Sequence, residues 1–146
     1  MTKAEKLDYI NAVKCIANKL AKTPAAIAAG AKSRYDDFVA THILQAQNIH
    51  GTGNFLAWHR YYVWAYEQVL RNECGYKGYQ PYYSWPWWAE DPTKSPLFDG
   101  SETSLSGDGA YVAGRSAFCL PSSARCLVTL QPSNGGGCVE SGPMKE

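Results

Sequence analysis

The chain is 146 residues long, carries 14 Lys+Arg against 13 Asp+Glu, and is 13% aromatic. That length fits one domain, residues 1–146, and a net charge of +1 gives no electrostatic basis for binding nucleic acid or an anionic membrane surface. No apolar run reaches the roughly 18–20 residues that a membrane-spanning helix needs, so no membrane partner is expected.

The opening stretch, MTKAEKLDYINAVKC, is polar and has no apolar signal-peptide segment. It is expected either in an intracellular chain or in one whose leader has been removed. Ile10, Val13, Ile16, Ala17 and Leu20 recur at helical spacing, which predicts a helix over 4–20 with Thr2 as its cap. Pro24 and Gly30 break the chain. A second helix is predicted over 33–47, with Ser33 as N-cap and Asp36 and Asp37 in the first turn, where the helix dipole favours acids. GTGN interrupts again, and a third helix follows over 56–73, ended by Gly75. The chain therefore divides into a helical part, 4–75, and a tail, 76–146. The tail is rich in Gly, Pro and aromatics, shows no periodicity, and is predicted to be irregular. Five cysteines, Cys15, Cys74, Cys119, Cys126 and Cys138, leave one over if two disulfides form, and the spacing leaves connectivity open.

All three histidines, His42, His50 and His59, fall between Thr41 and Leu70. His42 shares a helix face with Phe38 and Gln45, His50 follows that helix, and His59 opens the next one. A helical hairpin can bring three such imidazoles to one point, as bundle metal sites do. The alternative is three unrelated residues: a core histidine, a loop residue and a helix-terminal one. Spacings of eight and nine match neither a zinc finger nor the His-Glu-x-x-His motif. With no acid or thiol interleaved, an all-imidazole site suits copper or zinc. A zinc hydrolase lacks an evident general base here.

The stretch IHGTGNFLAWHRYYVWAYEQVLRNECGY, followed by PYYSW, resembles the first copper half of the tyrosinase and catechol oxidase family, the type 3 copper (polyphenol oxidase) proteins. The match lies in Phe-x-x-Trp-His-Arg, Glu67 and the Pro-Tyr-x-x-Trp turn. SRYDDFVATH and SPLFDGSETSLSGDGAYV resemble the short fungal members. The resemblance implies that His42, His50 and His59 are copper ligands and catalytic residues, and that Phe55 packs against a ligand imidazole. It implies oxidation of monophenols or o-diphenols to quinones, with dioxygen bound between two coppers. Arg60 and Glu67 are seven apart on one face and are expected to serve structure, paired directly or through a neighbour.

The family's second copper needs three more histidines, and none follows His59. The fold class implied is mainly α: half of a four-helix bundle, two antiparallel ligand-bearing helices plus an N-terminal helix, with a long irregular tail. The expected partners are phenolic small molecules, dioxygen, and either a missing second half or a second copy in a homodimer that rebuilds the bundle. The competing expectation is a truncated or mononuclear copper-binding protein without phenol oxidase activity of its own. Asn48 stands where some relatives carry a thioether-forming Cys, so no thioether is expected. Secretion is implied by the short fungal type, with a cytoplasmic location the alternative.

Overall fold

The computed structural model describes residues 1–107, 109–120, 128–131 and 136–145. The chain is mainly helical, with α1 (Lys3–Asn18), α2 (Arg34–Ile49) and α3 (Phe55–Cys74) in sequence order. These helices lie in one compact unit, Met1–Tyr83; a second unit runs from Ser84 to Glu146. No helix among the described residues is long and apolar enough to cross a membrane.

Local chemistry sets the helix starts. Thr2 and Ser33 each close a capping box, with Glu5 and Asp36 at the third helical position returning the bond. Gly75 ends α3 at φ 71°, a left-handed turn that a Cβ disfavours. The predicted helices match these to within two residues at each end. The first stops at Asn18 because Leu20 bridges back to Ser33, as the base of the loop between α1 and α2. The second runs on to Ile49, and Gly51 at φ 68° turns the chain beyond it.

The core joins α1 to α3 through Ala12, Ile16, Leu70 and Tyr76, with Tyr9, Val13, Tyr66 and Val69 packed around them. A Cys15–Cys74 disulfide, Cα–Cα 6.0 Å, closes the same end. The α2–α3 pair is tied by aromatic contacts: Phe38 meets Tyr62 and Tyr66 edge to face, at 5.8 and 5.2 Å. His42 meets His59, Phe38 meets Tyr62 and Tyr35 meets Tyr66. One number falls as the other rises, so the two helices run antiparallel.

Asp37 is buried, and here the sequence reading was incomplete. Its carboxylate accepts the backbone N–H groups of Lys22 and Thr23 and a bond from Arg34, clamping the α1–α2 loop to α2. Burial alone would raise its pKa. The bonds from Lys22, Thr23 and Arg34 outweigh that and hold it at about 2. A folded pKa depressed below the unfolded value adds stability above pH ~4 that is lost as pH falls through ~2. Asp37→Asn should therefore cost about 2 kcal/mol at pH 7 in urea unfolding. The gap to the parent should close towards pH 2; a gap that stays constant with pH would refute this account.

Glu67 does not pair with Arg60. It accepts the Gln80 N–H at 2.7 Å and lies 3.8 Å from Arg71. Seven residues span about 10 Å of helix, beyond direct reach.

The second unit carries two 3-10 turns, Trp85–Trp88 and Pro92–Lys94, and an antiparallel pair, β1 (Phe118–Leu120) and β2 (Val128–Leu130). Strands of three residues are too short to announce themselves by alternation. Cys119 is disulfide-bonded, Cys138 is an exposed free thiol, and Cys126 lies outside the described residues.

Candidate metal centre

The helical hairpin brings all three histidines together. Their ligand-capable nitrogens lie within 4.8 Å of one another, and no acid or thiol joins the cluster among the described residues. His42 comes from the middle of α2, His50 is the C-cap of α2, and His59 sits in the first turns of α3. His42 and His59 are half-buried and His50 is exposed.

Two of the rings are anchored to backbone one turn back. His50 Nδ1 lies 2.8 Å from the Ala46 carbonyl, and His59 Nδ1 lies 2.8 Å from the Phe55 carbonyl. A carbonyl only accepts, so each Nδ1 carries the proton and each Nε2 presents a lone pair. The bond from His50 also satisfies one of the carbonyls left open at the end of α2.

His42 Nε2 is 3.3 Å from His59 Nε2. Without a metal, His42 can donate its Nε2 proton to His59. An ion with imidazole bonds of about 2.0–2.1 Å and a tetrahedral angle holds two nitrogens ~3.3–3.4 Å apart. The spacing therefore fits an ion in place of that proton. Neutral nitrogen donors without carboxylate suit copper or zinc rather than magnesium or calcium.

Aromatic rings surround the cluster. Phe55 lies 4.3 Å from the His59 ring and 5.9 Å from that of His50, centroid to centroid. Trp58 contacts both His42 and His59, and Tyr62 stacks on Trp58 at 4.9 Å and 16°. The Tyr62 hydroxyl donates to the Phe38 carbonyl at 2.8 Å, across the hairpin. Burial raises its pKa, so it remains a donor at neutral pH. Sequence reasoning singled out the three histidines and Phe55 and placed Tyr62 in the apolar stripe of the third helix, without a part in the cluster. Its signal was the spacing: Tyr62 is three residues after His59, on the same helix face.

Residues 32–146 match the family model described as the common central domain of tyrosinase. The tyrosinase-like protein orsC of Emericella nidulans is 48% identical over 95% of the chain, which covers 39% of that protein. Tyrosinase P of Aspergillus terreus is 41% identical over the whole chain, covering 41% of that protein. Among solved structures, a point variant of polyphenol oxidase from Thermothelomyces thermophila superposes with a TM-score of 0.86 at 49% identity, over 98% of this chain and 37% of that one. The chain thus spans about two fifths of the length of these relatives.

Proposed function

The chain belongs to the tyrosinase family, whose metal is copper, and from that premise we propose that His42, His50 and His59 together hold one copper ion. The observation that carries this reading is the convergence of three imidazole nitrogens within 4.8 Å, two of them with their tautomer set by a backbone carbonyl. Copper bound there would supply a one-electron redox couple and an open coordination position.

The protein's own groups do the rest. The Ala46 and Phe55 carbonyls hold two rings so that each aims a lone pair at the ion, as partners of ligand histidines do elsewhere. Phe55 packs at a tilt against His59 and, more distantly, His50, limiting the rotation of the His59 ring. No acid among the described residues sits in the cluster to neutralise the metal's charge, which leaves it available to an anionic oxygen of substrate.

Turning an o-diphenol into its quinone removes two electrons and two protons, and a single copper changes by one electron. The activity we assign is therefore that of a paired site. It is oxidation of monophenols or o-diphenols by dioxygen once three further imidazoles are brought by a second half or a second copy of this chain. By itself the chain is a mononuclear copper-binding unit, a reading favoured by its total of three histidines and the exposure of His50. The Cys15–Cys74 disulfide favours an oxidising compartment, in keeping with secretion.

Total copper and electron paramagnetic resonance, measured on the same sample, test this. The expected result is one copper per chain, fully visible in the monomer, with no catechol oxidation. Copper that is present but silent, and stays silent after air oxidation, would point to a coupled pair in a dimer. A chain that retains no copper would refute the metal reading.

A further inference from the structure

The three imidazoles are not held alike. His50 and His59 are each fixed by a bond from Nδ1 to a carbonyl one turn back. Among the described residues, His42 Nδ1 has no such bond. The His42 ring is placed instead by its neighbours: Tyr62 at 5.8 Å and Trp58 at 5.9 Å on the protein side, and the two other imidazoles at 4.9 and 5.4 Å.

Tyr62 ties the two helices together beside the His42 ring. Its backbone is in α3, and its ring is stacked nearly parallel to Trp58. Its hydroxyl bonds the Phe38 carbonyl of α2. The helical ladder assigns that same carbonyl to the amide of His42. One side chain therefore touches the His42 ring, supports the indole beside it, and pins the turn of α2 from which His42 projects.

We propose that Tyr62 is the positioning residue for His42, doing by packing and a cross-hairpin bond what a carbonyl does for His50 and His59. A shift of α2 against α3 at this level moves His42 Nε2 away from His59 Nε2, and the 3.3 Å spacing that suits an ion is lost. The assignment rests on the reading of the three histidines as copper ligands.

The test compares Tyr62→Phe with Tyr76→Phe. Both remove a phenol hydroxyl bonded to a backbone carbonyl, Phe38 in one case and Tyr79 in the other, and Tyr76 lies in the α1–α3 core outside the histidine cluster. Copper(II) affinity is measured by competition with a chelator, the bound spectrum by electron paramagnetic resonance, and stability by thermal unfolding of the metal-free chain. Tyr62→Phe is expected to bind copper about tenfold more weakly, in the range seen when a partner of a metal ligand is removed, with a broadened spectrum. Tyr76→Phe should lose thermal stability yet bind copper as the parent does. In the metal-free chain, the imidazole nitrogen resonances of His42 should move in Tyr62→Phe and stay in place in Tyr76→Phe. Equal copper affinity and unchanged His42 resonances in Tyr62→Phe overturn the positioning role alone. A parent chain that binds no copper overturns the ligand reading along with it.

Discussion

Replacing His59 with alanine is expected to weaken copper binding by at least about 100-fold while leaving the chain folded. Loss of a mere partner of a metal ligand costs 10–100-fold, so loss of a ligand sets in at the top of that range. His59 is the sharpest of the three sites to change. Its Nε2 lies 3.3 Å from that of His42, and its Nδ1 is anchored at 2.8 Å. Removing it takes away the carbonyl-anchored half of a pair already spaced for an ion. The fold should tolerate the change, because the ring is half-buried and lies apart from the α1–α3 core of Ile16, Leu70 and Tyr76. Chelator competition, paired with thermal unfolding of the metal-free variant, separates the two effects. Undiminished copper in folded His59→Ala would mean that the histidines serve structure alone.

The largest expected change in stability comes from the disulfide. Changing Cys15 and Cys74 together to alanine should lower the unfolding free energy by about 4 kcal/mol. The bond closes a loop with a sequence separation of 59, and the chain-entropy estimate for such a loop is of that size. It encloses all of α2 and nearly all of α3, so the unfolded chain that gains freedom includes the whole histidine cluster. The native contacts change little, since Ile16 and Leu70 remain buried beside the site. Urea unfolding of the double variant, with copper absent, measures the effect. A loss below about 1 kcal/mol would show that the α1–α3 packing restricts the chain without the bond. Copper should raise the midpoint in both proteins, because a ligand that binds only the folded state stabilises it by mass action.

The legible parts of this molecule are those encoded within a few residues. Thr2, Ser33 and Gly75 mark helix ends by chemistry that acts over a single turn, and all three serve as caps. The histidines were legible as a candidate group because a helical hairpin can bring them to one point, though their spacing left three unrelated residues as the alternative and only resemblance favoured copper. Phe55 was legible only by resemblance, and its contact with His59 spans one helical turn.

What failed to show in the sequence depends on residues far apart in the chain. Asp37 reads as a helix-dipole acid, and its role as a clamp on Lys22 and Thr23 exists only once the α1–α2 loop has folded back. Glu67 reads as a partner for Arg60, yet Gln80 and Arg71 take it, because the chain beyond Gly75 returns along α3. The strands at Phe118–Leu120 and Val128–Leu130 are too brief for a pattern to form.

By itself the sequence determined the three helices and their order, since caps and apolar spacing act locally, while the reading of the three histidines as copper ligands came from resemblance to the family. Only the tertiary structure decided which cysteines pair, which ring nitrogen of each anchored histidine faces the site, and that Tyr62 stands behind His42. Those outcomes depend on the register between helices. That register follows from how Phe38, Tyr62 and Tyr66 pack across the α2–α3 hairpin and how Ile16 and Leu70 pack between α1 and α3. No pattern along one strand of sequence carries a contact that two separate segments must make together.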